Sequence, residues 1–302
     1  MSAPVKAPTR PVLRYHGGKW RLAPWIIEQF PPHRVYVEPF GGAASVLLRK
    51  ERVTTEVYND LDRHVVNLFR VLRDPIRARA LARLLALTPY SRDEYADLYE
   101  PCDDIVEAAR RFIARGFIGQ NSKGVFQKSG FDTRINKDHF VSRLQSLAFV
   151  PDEIALVAGR FSHVVIENDD AAKVMRRFDR REALHYVDPP YLPELRAGKV
   201  YRHDMSERDH RALSKVLRSL SGMVVLSGYP SPLYDGLYRG WHRLEVAAHT
   251  DFARDRTECL WLNPAAVAAG AIKQPNMFDP IATVHTPPPA KRQSRKQRET
   301  HA

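Results

Sequence analysis

The sequence predicts an α/β fold whose sheet is mixed and mostly parallel, with helices on both faces. Six short runs of β-branched and aromatic residues, bounded by Gly, Pro, Asn or Asp, read as strands, and helix-period segments lie between them. Strands that alternate with helices are joined by crossovers, which leave neighbouring strands parallel and a helical layer on each side. Most of the strand runs also end in a polar residue or a glycine, the pattern of an open sheet that carries its chemistry at one edge.

In chain order the strands are expected at Val35 to Glu38, Glu56 to Asn59, His163 to Glu167, Leu184 to Val187, Met223 to Ser227 and Glu258 to Leu262. After the first of these, the small-residue segment Ala43 to Leu48 reads as the start of a helix. Leu61 to Arg73 brings Leu61, Val65, Leu68, Phe69 and Leu72 to one helical face, and Ser206 is placed to cap a helix that runs to Leu220. The alternation breaks between about Arg73 and Phe161, where helix patterns dominate. Residues 1–72 and 162–271 are therefore expected to form the main domain around an inserted, mainly helical subdomain at 73–161. Residues 272–302 hold Pro287-Pro288-Pro289 and the basic run Lys291 to Arg298, with too few apolar side chains to offset the entropy of ordering, and are expected to form a mobile basic tail.

Composition narrows the function classes. The 302 residues are 44% hydrophobic and 27% charged, an ordinary globular balance. Forty-seven Lys and Arg against 35 Asp and Glu give a net charge of +12, a field that favours nucleic acid or another anionic surface. No apolar run reaches the roughly 18 residues that signal a membrane span, and two cysteines, Cys102 and Cys259, cannot make a disulfide framework. Met1 to Arg10 lacks the apolar core of a secretory signal, so a reducing, cytoplasmic setting is expected.

The sharpest chemical signal is Asp188-Pro189-Pro190-Tyr191, directly after the strand Leu184 to Val187. Two prolines stiffen the segment and remove two backbone donors, leaving a carboxylate, carbonyl acceptors and an aromatic face together. An amino group conjugated to an aromatic base finds hydrogen-bond acceptors and a stacking surface there. Val37-Glu38-Pro39-Phe40-Gly41-Gly42 follows the first strand, and its glycines let a ligand approach the backbone. It lacks the spacing of a dinucleotide fingerprint or a phosphate-cradling loop. Tyr58-Asn59-Asp60 ends the second strand with a carboxylate suited to ribose hydroxyls or to a helix cap. Arg14-Tyr15-His16-Gly17-Gly18-Lys19 adds an aromatic face, a flexible backbone and a cation. His185 and His203 show no metal-ligand spacing, and Cys102 lies away from any strand end.

From Arg14 to about Pro264 these motifs resemble the Dam-like DNA adenine methyltransferases. Arg14 to Lys19 is similar to the family's amino-terminal motif, Val37 to Gly42 to its cofactor loop, Tyr58 to Asp60 to its ribose-binding motif and Asp188 to Tyr191 to its catalytic motif. Asn168-Asp169-Asp170-Ala171 resembles the acidic motif at the cofactor's adenine, with Asp170 the better placed carboxylate. The order of motifs resembles that of the alpha group, and the segments Tyr201 to His210, Val224 to Tyr229, Arg256 to Glu258 and Leu260 to Asn263 are similar to its bacteriophage and mobile-element branch. One departure is Ala114-Arg115, where many members carry Asn-Arg.

The resemblance implies a Rossmann-like S-adenosylmethionine-dependent methyltransferase fold and site-specific methyl transfer to adenine N6 in double-stranded DNA, by base flipping and direct transfer without a metal. It implies catalytic roles for Asp188, Pro189, Pro190 and Tyr191, and cofactor contacts from Tyr15, Lys19, Glu38, Phe40, Gly41, Asp60, Asp170 and Asp188. The insert is then the target-recognition subdomain. Within it Arg115, Asn121, Lys123, Gln127, Lys128 and Arg134 alternate with aromatic residues and glycines, a composition suited to phosphates and base edges. A monomer is expected in the cytoplasm of a bacterial host cell or associated with its nucleoid. Gln274 to Phe278 resembles the short peptide with which replication proteins dock on the bacterial sliding clamp. The alternatives are methylation of another conjugated amine (cytosine N4, RNA adenine or a protein glutamine) and a catalytically inert DNA-binding relative; the Asp of the catalytic motif favours adenine in DNA.

Overall fold

The computed structural model describes residues 7–133, 145–195, 201–249 and 255–270. Seven strands form one sheet: β1 (Val35–Glu38), β2 (Thr55–Asn59), β3 (Val164–Glu167), β4 (Ala183–Val187), β5 (Met223–Gly228), β6 (His242–His249) and β7 (Asp255–Leu262). Their spatial order is β3-β2-β1-β4-β5-β7-β6. The first five in that order run parallel, with Val35 paired to Thr55 on one side and to Ala183 on the other, and β7 joins β5 antiparallel, Val225 opposite Leu262. The six expected strands are present within three residues of their expected ends. β6 was not expected. It is an edge strand carrying His242, Arg243 and Glu245, and its polar alternation reads as loop rather than as half of a hairpin with β7.

Helices form where the sequence supplies caps and an apolar stripe. Asp62 accepts a hydrogen bond from the His64 amide at 2.9 Å and starts α3 (Arg63–Leu72), following α1 (Ala23–Glu28) and α2 (Ser45–Arg49). Val65, Leu68, Phe69 and Leu72 of α3 are fully buried, but Leu61, expected on the same face, precedes the helix and is exposed. Residues 73–161, expected as an insert, hold α4 (Pro75–Ala86), α5 (Arg92–Asp97), α6 (Ile105–Ile118) and α7 (Val150–Phe161), with Asp74, Ser91 and Asp104 capping the first three. Then come α8 (Ala171–Phe178), α9 (Glu207–Ser219), α10 (Pro232–Leu237) and α11 (Pro264–Ala268). Ser206 and Asp209 close a reciprocal capping box on α9, as the sequence suggested for Ser206.

Period-two alternation sorts the sheet into two faces. Tyr36, Tyr58, Leu184, Tyr186, Val225 and Leu260 point into a large apolar cluster that also takes side chains of α1, α2, α3, α4, α6 and α7. Val37, Val57, Val187, Leu226 and Trp261 point the other way, toward α8, α9 and α10. α4 and α6 thus share one core with α3 and the sheet. The expected tail at 272–302 lies outside the described residues.

Candidate active site

Strand order decides where a site can form. β1 lies between β2 and β4, so the chain leaves it in opposite directions along the sheet, and the crevice at the carboxyl ends of β1 and β4 is the topological switch point. Glu38 ends β1, while Asp60 and Asp188 stand one residue past β2 and β4. β7 runs the other way, so its early residues reach the same edge: Gly228 at the end of β5 faces Cys259, with Glu258 next to it. Glu38 shares the strand parity of Tyr36, and Glu258 that of Leu260, so both project from the face covered by the large cluster.

The turn after β1 is clamped to β2. The Gly41 amide donates to the Asn59 carbonyl at 2.8 Å, Tyr58 Oη to the Gly42 carbonyl at 2.7 Å, and the Gly42 amide to Asp60 Oδ2 at 2.9 Å. A Cβ on Gly41 would lie 2.0 Å from the Tyr58 ring, and Gly42 has φ of +47°, so both positions need glycine. Asn59 donates to the Pro39 and Asp169 carbonyls, and Asn168 to the Asp60 carbonyl at 2.7 Å, tying the ends of β1, β2 and β3 together. Burial pushes the Asp60 carboxyl up to about 6, against the two backbone amides that it accepts. Burial likewise pushes Glu38 up to about 8, although Tyr36 Oη and the Leu47 amide donate to its Oε2 at 2.6 and 3.0 Å.

Asp188 to Tyr191 meets the N-terminal segment. Lys19 Nζ lies 3.0 Å from Asp188 Oδ2 and 3.8 Å from Glu258 Oε1, donates to the Gly17 carbonyl at 3.1 Å and sits 4.7 Å from the centre of the Tyr191 ring. Tyr191 Oη donates to Glu258 Oε1, and the edge of the ring meets Tyr229. Lys19 is 8% exposed and Glu258 3%. Burial pulls the Lys19 ammonium's pKa down, yet Asp188 and Glu258 outweigh it and hold the group above the usual lysine value.

The remaining expected cofactor residues stand around this crevice at different depths. Tyr15 is half-buried, edge-on to Phe126 at 5.0 Å and beside Tyr201 at 6.1 Å. Phe40 is half-buried and packs toward the opposite face of the sheet. Asp170 is exposed and caps α8 by accepting from the Lys173 amide. Its neighbour Asp169 pairs with Lys173 and Arg177; the Asp170 amide, first, and these cations hold its carboxyl below the usual range.

The segment from 119 to 131 is a loop closed by a bridge between Gly119 and Phe131, with Gln120 N donating to the Gly130 carbonyl at 3.1 Å. Asn121 caps a short 3-10 turn, Ser122–Val125, that carries Lys123, while Gln127 and Lys128 are exposed beyond it. Arg115 stands apart from the others. It is 8% exposed, donates twice to the Leu98 carbonyl and lies over the Tyr99 ring at 4.9 Å, so its guanidinium is occupied inside the insert, away from the surface that a base edge would need. Arg134 and Gln274 to Phe278 lie outside the described residues.

The motif reading takes in Glu258 within the segment Arg256 to Glu258 but gives it no role, while the structure brings it to Lys19 and Tyr191. The signal was present: a lone acid at the head of the apolar run Cys259-Leu260-Trp261-Leu262, in phase with Leu260. Among the described residues no group of three His, Cys, Asp or Glu side chains is arranged to hold a metal ion, and no helix is long and apolar enough to cross a membrane.

Comparisons with known proteins identify the family. The chain is 24% identical over 251 residues to a DNA adenine methylase of Haemophilus influenzae, covering 76% of this chain and 83% of the relative. It is 24% identical over 243 residues to DNA adenine methylases of Salmonella typhimurium and Salmonella typhi, covering 78% of this chain and 84% of each. The family model for D12 class N6 adenine-specific DNA methyltransferases matches residues 15–252, a span that takes in Lys19, the turn after β1, the whole insert and Asp188 to Tyr191. The chain belongs to that family, and its reaction is methylation of adenine N6 in DNA.

Proposed function

We propose that the crevice at the carboxyl ends of β1, β2 and β4 binds S-adenosylmethionine beside an adenine flipped out of double-stranded DNA, with Asp188 receiving the adenine amino group. The observation that carries the reading is the position of Glu38 to Gly42 and of Asp188 to Tyr191 on the two strands that flank the switch point. The donor set suits the cofactor: buried carboxylates for a cation and ribose hydroxyls, and glycine backbone that lets a nucleoside come close.

When bound, the cofactor supplies an electrophilic methyl group on a sulfonium, and the electron pair of the breaking bond leaves on sulfur. The residues of this chain do the rest. Asp60 and Asp170 hold the nucleoside, and Tyr15 and Phe40 offer aromatic faces near the sulfonium. The Asp188 carboxylate and the Pro189 carbonyl accept the two N6 hydrogens, which localises the nitrogen lone pair toward the methyl group. Pro190 keeps that segment stiff, and the Tyr191 ring supports the base by stacking. As the N–C bond forms, positive charge develops on N6, and Asp188 stabilises it and takes the proton that the methylated amine sheds. Acceleration comes from positioning and from acceptors already in place.

Lys123, Gln127 and Lys128 on the closed loop of the insert contact the duplex, and Asn121 holds the turn that carries Lys123. Gln274 to Phe278 is proposed as a docking peptide for the sliding clamp, and the enzyme as a monomer. The test is transfer of a labelled methyl group from S-adenosylmethionine to an unmethylated duplex. The wild-type protein transfers label; Asp188→Ala binds the duplex but transfers at least about a hundredfold more slowly. Transfer by Asp188→Ala at the wild-type rate removes the proposed role.

A further inference from the structure

The position of Lys19 poses a difficulty for the reaction. Its ammonium is 3.0 Å from Asp188 Oδ2 and 4.7 Å from the centre of the Tyr191 ring. That is the place in which an adenine amino group would meet Asp188 while its ring stacks on Tyr191. A buried lysine bound to the catalytic carboxylate competes with the substrate amine, and it also opposes the positive charge that grows on N6. The cation therefore needs a second anion.

Among the described residues, Glu258 is within reach. Its Oε1 is 3.8 Å from Lys19 Nζ, and it also accepts the Tyr191 hydroxyl. Lys19 with Asp188 and Glu258 sums to one net negative charge, where a Lys19–Asp188 pair alone sums to zero. We infer that Glu258 is a positioning residue for catalysis: it takes over the Lys19 ammonium when adenine enters, so that Asp188 is free to bind the amino group and to stabilise its developing charge. β7 runs antiparallel to β5, which is what brings an acid from the end of the chain to the crevice edge. The same contact fixes the Tyr191 ring through its hydroxyl, so one carboxylate sets both the cation and the stacking surface.

This inference rests on the role proposed for Asp188, and the experiment separates the two. Steady-state methylation is measured for wild type, Glu258→Gln, Lys19→Met and the double variant, with melting temperature and S-adenosylmethionine affinity as controls. Glutamine keeps an oxygen for the Tyr191 hydroxyl and removes only the charge. In the wild-type background Glu258→Gln is expected to lower kcat at least about tenfold, with KM for DNA changed less than about threefold. In the Lys19→Met background, where there is no cation to take over, the same substitution is expected to change kcat less than about threefold. Equal losses in both backgrounds, or no loss in the wild type, overturn the inference. Should Glu258→Gln not fold, Glu258→Asp replaces it in the same cycle: it keeps the charge, loses reach, and its loss must again depend on Lys19. Full activity in Asp188→Ala defeats the underlying reading, whatever the Glu258 variants do.

Discussion

Glu38 is a carboxyl group placed where water cannot solvate it, and its behaviour follows from that. Its folded value of about 8 stands above that of an unfolded glutamate. Between these values the folded protein holds a proton that the unfolded chain has released, so stability falls as pH rises from about 5 to about 8 and levels off above. Glu38→Gln removes that titration while keeping an oxygen for Tyr36 and Leu47. Melting curves are expected to show the variant close to the wild type near pH 5 and more stable than it by several degrees near pH 8. A parallel fall of both proteins across that range contradicts the burial argument. Tyr191 makes a second residue-scale case, because its ring and its hydroxyl have separate tasks. Tyr191→Phe keeps the stacking surface and loses the bond to Glu258, and it is expected to retain about tenfold more activity than Tyr191→Ala in the same transfer assay. Equal activities would show that the ring is not the part in use.

At the scale of elements, the turn after β1 is the least tolerant segment of the site. Gly41 sits against the Tyr58 ring, so Gly41→Ala must push the turn away from β2 and break the Gly41–Asn59 and Tyr58–Gly42 hydrogen bonds. Loss of S-adenosylmethionine binding by at least about tenfold, with a lowered melting temperature, is the calorimetric outcome expected. Such elements were legible in the sequence because buried parallel strands are written in Val, Leu, Ile and Tyr and end in the residues that carry chemistry, as Tyr36-Val37-Glu38 and Tyr186-Val187-Asp188 do. β6 was illegible because an edge strand solvated on one side uses polar residues, even though it pairs with β7, the next strand in the chain. Arg115 misled for the reverse reason. An arginine in a basic, aromatic stretch reads as surface charge, but α6 continues through it and turns it inward onto Leu98 and Tyr99. Glu258 was legible only once strand direction placed the early residues of β7 beside the end of β5, the neighbour of β4.

The sequence as a whole carries a net charge of +12, while among the described residues at the crevice the carboxylates Asp60, Asp188 and Glu258 outnumber Lys19. That division suits an enzyme that draws in a polyanion and then binds a cationic methyl donor within it. If the loop from 119 to 131 lies against the duplex, replacing Lys123 and Lys128 by glutamine lowers the slope of log affinity against log salt by about 2, which fluorescence anisotropy at several salt concentrations reads directly. An unchanged slope places the duplex elsewhere. The central claim, that the crevice between β1 and β4 methylates adenine N6 through Asp188, is tested most directly by treating unmethylated duplex DNA with the protein and S-adenosylmethionine and mapping modified bases by single-molecule sequencing. N6-methyladenine within one recurring sequence, absent when Asp188→Ala replaces the wild type, is the predicted result; N4-methylcytosine, or N6-methyladenine made equally by Asp188→Ala, would contradict it.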